Sequence, residues 1–211
     1  MSMDPATLAS YLESLVPERA PELANMERIA RETDFPIIGP TAGHFCYLLT
    51  RLVGARSVFE LGSGYGYSTA WFARAVRENG GGRVHHVVWD QDLSERARTH
   101  LEALGLLDLV QFHVREAVEC LSEQAGPFDL IFNDIDKQGY PQALAVIRAK
   151  LRTGGLLITD NALWQGRIFD DADQSPATSG VRELTRQLSE STAWTTSLVP
   201  IRDGLLVARK H

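Results

Sequence analysis

The stretch from Val58 to Thr69 restricts what this chain can fold into more than any other. A short apolar run, Val58-Phe59-Glu60-Leu61, carries an acid, passes through Gly62, Gly64 and Gly66, and leads into Ser68-Thr69-Ala70-Trp71-Phe72-Ala73. The pattern predicts a strand, a tight turn and a helix N-terminus. Glycine has no Cβ, so the turn can take positive φ and let a ligand approach its backbone, while the helix start offers unpaired N–H groups to an anion. A plain strand-to-helix turn would use the same residues. A dinucleotide fold wants G-x-G-x-x-G, whereas here the third glycine follows the second by only two positions.

Around this stretch the apolar pattern alternates. Residues 4–33 read as amphipathic helix with breaks at Pro17 and Pro21, residues 35–40 as a rigid link, and Thr41 onward as a further helix. Strands are predicted at 57–61, 84–89, about 109–114, 128–135 and 155–159, with helices after the glycine turn, at about 93–104 and at 140–151. Strands alternating with helices imply a mainly parallel α/β sheet with helices on both faces. The end differs: residues 195–201, Asp203-Gly204 and residues 205–209 read as an antiparallel hairpin. The polar stretch from Gln165 to Ser179 reads either as a mobile flap or as a solvated connection.

The 211 residues fit one domain over 1–211, with 1–34 as an N-terminal helical cover, and 44% hydrophobic with 23% charged residues is ordinary for a globular chain. A formal charge of −6 argues against a nucleic-acid surface. Cys46 and Cys120 lack CxxC spacing and read as structural thiols. No leader pattern and no apolar window approaching about 18 residues is evident, so the expectation is a cytoplasmic, unanchored protein with no membrane partner.

Ligands of open α/β sheets bind beyond the carboxyl ends of the strands. Those ends carry Glu60, Asp90, Asp134, Asp136, Asp160 and Asn161, five carboxylates and one amide on one edge. Glu60, the glycine turn, Ser68 and Asp90 lie where a nucleoside with a polar tail would sit. Asp134, Asp160 and Asn161 offer only oxygen, the set preferred by Mg²⁺, Mn²⁺ or Ca²⁺ over zinc. Lys137 is open to two readings: a proton acceptor beside a bound cation, or a surface lysine balancing Asp136. His85 and His86, adjacent in a strand, face opposite ways and make a poor ligand pair.

Three motifs share a family pattern: Glu60 through Thr69; Phe128-Asp129-Leu130-Ile131-Phe132-Asn133-Asp134-Ile135-Asp136-Lys137 with Tyr140; and Gly154 through Asn161 with Leu163-Trp164 and Gly166. With the closing Pro200-Ile201-Arg202-Asp203-Gly204-Leu205, they resemble the catechol and caffeoyl-CoA O-methyltransferase family from about Phe35 to the C-terminus. The resemblance implies a Rossmann-like class I methyltransferase fold, a mostly parallel seven-stranded sheet ending in an antiparallel hairpin. It implies S-adenosylmethionine as donor, Mg²⁺ (or Mn²⁺ or Ca²⁺) as cofactor and a hydroxylated aromatic small molecule as acceptor. By position it makes Asp134, Asp160 and Asn161 metal ligands, Lys137 the general base working with Asp134, and Trp164 part of the acceptor pocket. Ile38, Glu60, Gly62 and Ser68 become contacts to the donor's methionine end, Ser63, Gly64, Tyr67 and Asp134 further donor-binding residues, Trp89 an adenine-packing residue, and Glu116 and Ala117 neighbours of the base edge. It also suggests a homodimer through the N-terminal helices.

One position departs from the pattern. With Ala97 and Gly105 as register markers, the family's ribose-binding acid is replaced by Val88, so either Asp90 substitutes for it or donor affinity is reduced. Two other functions compete: methylation of a hydroxylated tRNA nucleoside, which the acidic balance disfavours, and a non-catalytic donor-binding module, which the joint presence of Asp134, Lys137, Asp160 and Asn161 disfavours. A hydride-transfer enzyme is the more distant alternative, given the glycine spacing.

Overall fold

The structure, a computed structural model, describes residues 4–211; the first three residues of the expected N-terminal cover lie outside it. Helices α1 (Pro5–Ser14), α2 (Pro21–Thr33) and α3 (Gly39–Leu52) come first. Pro21 starts α2 rather than breaking a longer helix, because the first helical position has no N–H bond to lose. Then follow β1 (Ser57–Leu61), α4 (Tyr67–Glu78), β2 (Arg83–Val88), α5 (Gln91–Ala103), β3 (Val110–Val114) and α6 (Ala117–Glu123). The rest is β4 (Phe128–Asn133), α7 (Tyr140–Lys150), β5 (Leu151–Thr159), α8 (Pro176–Glu190), β6 (Trp194–Val199) and β7 (Leu205–Lys210).

The strands form one seven-stranded sheet in the order β3-β2-β1-β4-β5-β7-β6. β1 pairs in parallel with β2 and β4, and β4 with β5, whereas β7 runs antiparallel to both β5 and β6. Chain order reverses between β1 and β4, the switch point at which open α/β sheets hold ligands. Alternation along β1 divides the core: Val58 joins one buried cluster with Trp71, Phe72, Leu130 and Phe132, while Phe59 and Leu61 join the other with Ile131, Tyr140 and Leu157. Glu60 therefore points to the first face, beneath α4.

Several boundaries move. β4 ends at Asn133, two residues before the expected end, because Asp134 and Ile135 already leave the sheet as the approach to a 3-10 turn at Lys137–Gly139. β5 begins at Leu151, which pairs with Phe128 across an irregular register and so belongs to the strand, not to α7. The helix α8 begins inside the stretch expected as a flap. Ser175 caps it, accepting from the Thr178 N–H, and Val181, Leu184 and Leu188 fill its buried face. The connection before α8 is strapped down: the Arg182 guanidinium donates to the carbonyls of Arg167, Ile168, Asp170 and Asp173. Among the described residues no helix is long and apolar enough to cross a membrane. Cys46 and Cys120 are free, buried thiols.

α8 packs onto the turn that carries Lys137. A Cβ at Gly180 would lie 2.2 Å from the Lys137 carbonyl oxygen and 3.0 Å from the Gln138 Cα, both rigid backbone. Gly180→Ala is expected to cost about 1–3 kcal/mol of stability by overpacking, read as a lower urea midpoint.

Candidate active site

At the tip of β1 the backbone turns through Gly62 (φ 86), Gly64 (φ 50) and Gly66 (φ 91). A Cβ at Gly62 would stand 2.5 Å from the Asp134 carbonyl oxygen, so only glycine lets the turn lie against the tip of β4. The Asp134 N–H donates to the Leu61 carbonyl at 2.8 Å and fixes that contact. Ser63 clips the other side to β2: its N–H donates to the Val87 carbonyl at 3.0 Å and its hydroxyl accepts from the Val87 N–H at 3.0 Å. α4 starts without a side-chain cap, so its first-turn N–H groups offer positive charge to a ligand. A cavity of about 30 Å³ here is lined by Ile38, Gly62, Ser63, Gly64, Tyr67, Ser68 and Asp134 among others, which brings these predicted residues together.

Glu60 is fully buried behind this turn. Its Oε2 accepts from the Thr69 hydroxyl, and Thr69 Oγ1 lies 3.0 Å from Nδ1 of buried His86. Burial pushes the Glu60 carboxyl up to about 7, against the pull of the Ser68, Thr69 and Ser63 hydroxyls. Its Oε1 has no hydrogen-bond partner. Burial likewise pushes His86 down to about 3, which favours its neutral form.

On the other side of Asp134 opens a cavity of about 720 Å³, lined by Asp134, Lys137, Asp160, Asn161, Trp164 and Arg202 together with Gly62, Gly64, Val88 and others. The Lys137 ammonium donates to Asp134 Oδ1 at 2.8 Å and to the Ile135 carbonyl at 3.3 Å, and its side chain is 12% exposed. It lies 5.4 Å from the Tyr140 ring centroid and 5.7 Å from that of Trp164. Lys137 is thus an inward lysine paired with Asp134, not a surface lysine balancing Asp136. Asp160, 2% exposed, has an Oδ1 with no partner. Burial and then the negative charge of Asp134 push its carboxyl up to about 7, and burial raises Asp134 too, against the charge of Lys137.

This donor set fits a hard divalent cation. Two adjacent carboxylates are costly to ionise together, one buried oxygen is unpartnered, and Asn161 gives its Nδ2 hydrogen to Asp203 at 3.0 Å, which keeps its amide oxygen available. Among the described residues no three His, Cys, Asp or Glu side chains cluster as a metal site; the set here is two carboxylates completed by an amide. The glycine cradle and the uncapped start of α4 fit a donor with a carboxylate tail in the same way.

Other predicted residues stand apart. Asp90 caps α5, accepting from the Asp92 and Leu93 N–H groups at 2.7 and 3.1 Å, and is not in the cavity wall, whereas Val88 and Leu93 are. Trp89 is 71% exposed at the tip of β2 and lines neither cavity. Glu116 caps α6 and lines a neighbouring cavity of about 390 Å³, which meets the larger one at Ile135 and Asp136; Ala117 behind it is buried. Sequence reasoning missed Asp203 and Arg202. Asp203 accepts from Asn161 Nδ2 and the Gln165 N–H, and its carbonyl accepts from the Leu163 N–H at 2.8 Å. The Asp-Gly pair had signalled a turn, but nothing local showed that the turn returns to the strand-five loop.

A seven-stranded sheet of this order, with a glycine turn and acidic strand tips at its switch point, defines a class I methyltransferase. The chain belongs to the O-methyltransferase family, whose model matches residues 16–211, and it is an S-adenosylmethionine-dependent O-methyltransferase. It is 34% identical over 160 residues to a catechol O-methyltransferase of Niastella koreensis, covering 74% of this chain and 72% of that one. It is 31% identical over 191 residues to a catechol O-methyltransferase of Mycobacterium tuberculosis, covering 87% and 86%. Among solved structures it resembles the O-methyltransferase TomG from Streptomyces achromogenes in complex with S-adenosylmethionine, with a TM-score of 0.88, 26% identity and 99% of each chain covered.

The Glu60 carboxyl titrates near 7 in the fold against an ordinary value of 4.5. Its neutral form is the one the fold prefers, so that stability is present below pH 4.5 and lost as pH rises through 7. Glu60→Gln, neutral throughout, is expected to gain on the wild type across that interval in paired urea titrations; a pH-independent difference would contradict the assignment.

Proposed function

We propose that the chain transfers a methyl group from S-adenosylmethionine to a hydroxyl of a catechol-like acceptor with the help of a divalent cation. The carrying observation is that Asp134, Lys137, Asp160 and Asn161 line one cavity, and that Gly62 and Asp134 line both this cavity and the smaller one at the glycine turn. The names of the Niastella and Mycobacterium relatives support the acceptor class.

In this reading Asp134, Asp160 and Asn161 hold Mg²⁺, or Mn²⁺ or Ca²⁺. The cation supplies Lewis acidity that makes one of two vicinal hydroxyls easier to deprotonate and fixes its position. Lys137, as the neutral amine left once its ammonium has released a proton to solvent, accepts the hydroxyl proton at Nζ, from a position set by Asp134 and the Ile135 carbonyl. The oxygen electron pair then forms the O–CH₃ bond as the S–CH₃ bond breaks, leaving S-adenosylhomocysteine. Ile38, Gly62, Ser63, Gly64, Tyr67 and Ser68 hold the methionine end and Glu60 supports the turn from behind. Glu116, on the neighbouring cavity, faces the base edge with Ala117 behind it, Trp89 folds onto the base from its exposed position when the donor binds, and Trp164 walls the acceptor. Tyr11 on α1, Leu15 just beyond its end, and Leu48 and Leu52 on α3 are exposed apolar side chains on neighbouring segments, which supports a homodimer through this face.

Chelation with EDTA is expected to abolish transfer and added Mg²⁺ to restore it. Lys137→Ala should lower kcat by about 10²–10⁴-fold while S-adenosylhomocysteine affinity changes little. Activity indifferent to chelation would reject the mechanism. Asp90→Ala should cost about 1 kcal/mol of stability through the lost cap. If Asp90 also takes the ribose hydroxyls, calorimetry will show weaker donor binding; unchanged affinity removes it from the site.

A further inference from the structure

Lys137 and Arg202 are the cationic residues on the wall of the larger cavity, and the proposed reaction leaves Arg202 unused. It sits in the β6–β7 turn with φ 53, a left-handed backbone that a non-glycine residue keeps only where its surroundings fix it. They do so here. The next residue, Asp203, is tied through its carboxylate to Asn161 and Gln165 and through its carbonyl to Leu163. Gly204 follows, where a Cβ would stand 2.7 Å from Leu163 Cγ. The side-chain stem is placed as well: Arg202 Cδ lies 3.3 Å from where a Cβ of Gly39 would be, so the absence of a side chain at the start of α3 makes room for it.

Lys137 is committed to Asp134 and Arg167 to Asp173; Arg202 also borders a second cavity of about 430 Å³ with Glu13, Glu27, Arg31 and Asp34, and Glu27 there is taken by Arg19. Among the described residues the Arg202 guanidinium has no ion pair within 4.0 Å. Its charge nevertheless reaches the candidate cation site, where it favours the ionised forms of both Asp134 and Asp160. A planar guanidinium with free donors, on a turn fixed to the loop that carries Asn161, suits bidentate recognition of a carboxylate. The donor's own carboxylate has a different place, because the small cavity at the uncapped start of α4 does not include Arg202 in its wall.

We infer that Arg202 reads an anionic substituent on the acceptor, so that the preferred substrate class is a vicinal diphenol bearing a carboxylate on the ring or on a short side chain. This inference rests on the diphenol reading above and narrows it. Arg202 acts on binding, not on the transfer itself, and its effect belongs in KM and in acceptor affinity.

The test uses the full chain saturated with Mg²⁺ and S-adenosylhomocysteine, titrated calorimetrically with 3,4-dihydroxybenzoate and with its uncharged methyl ester. Turnover with S-adenosylmethionine is measured in parallel. Arg202→Met is expected to weaken binding of the acid by about 10–100-fold, the range of a lost charge-assisted pair, with a matching rise in KM and a much smaller effect on the ester. Arg202→Lys should recover part of the preference. Equal losses for acid and ester would overturn the inference, as would a wild type that does not prefer the acid. A tenfold loss of S-adenosylhomocysteine affinity in Arg202→Met would also overturn it by putting the guanidinium on the donor. Failure of the diphenol reading has a separate signature: neither acid nor ester binds the wild type, and catechol is not methylated.

Discussion

The site depends on the contact between the backbone at Gly62 and the carbonyl of Asp134. With no Cβ to hold them apart, the turn after β1 and the exit of β4 meet at the switch point of the sheet, and the Leu61 carbonyl accepts the Asp134 N–H. Asp134 consequently belongs to two cavities. One end of its residue closes the pocket at the glycine turn, and its side chain holds Lys137 in the wider cavity. A methyl donor and an acceptor must meet within bonding reach, and Gly62, Gly64, Asp134 and residues 35–37 border both cavities, which sets the two spaces side by side.

That arrangement requires polar groups in places a purely stable protein would fill with hydrocarbon. Glu60, His86, Asn133 and Asp160 are all buried, and each has at least one side-chain atom without a partner. With Glu60 ionised, the Thr69 hydroxyl gives its one hydrogen to Glu60 and accepts from Nδ1–H of His86; with Glu60 protonated the carboxyl can donate to Thr69, and Thr69 to Nδ1. In either case Nε2 is buried without a partner. Each such group costs about 1–3 kcal/mol. The expense falls around the strand tips, where the charge of Asp134 makes ionisation of Asp160 harder. A bound cation would relieve that repulsion, so binding and stability are coupled at this edge of the sheet.

Sequence made the strand tips legible because their signals are local. A glycine turn between an apolar run and a helix start, and acids at the ends of β4 and β5, need no knowledge of distant residues. Asp203, Arg202 and α8 were harder for the opposite reason. Asp203 reads as the first half of a hairpin turn until β7 is seen to run antiparallel to β5, which delivers it to Asn161 some forty positions earlier in the chain. α8 had a usable signal, the Ser175-Pro176 start followed by Val181, Leu184 and Leu188, but the acidic run before it suggested loose chain. What holds that run is Arg182, whose contacts with four carbonyls cannot be inferred from spacing. Asp90 shows the limit of a local signal: an acid at a strand end can be a ligand or a helix cap, and here one of its oxygens caps α5.

The backbone itself shows where the fold concentrates strain. Among the described residues, the non-glycine positions with positive φ are Asp34, Asn161, Trp164, Gln165 and Arg202, and all but the first flank the acceptor cavity. Left-handed backbone at such residues costs of order 1–3 kcal/mol and persists only when neighbours over-determine it. Asp203 and Gly204 provide that constraint, with bonds to Asn161, Ala162, Leu163 and Gln165 that fasten the hairpin turn to the loop after β5. The strain and its restraint therefore share one structural unit. It fixes the amide of Asn161 and the backbone from which Trp164 and Arg202 project, so that loss of Asp203 would disturb all three positions together.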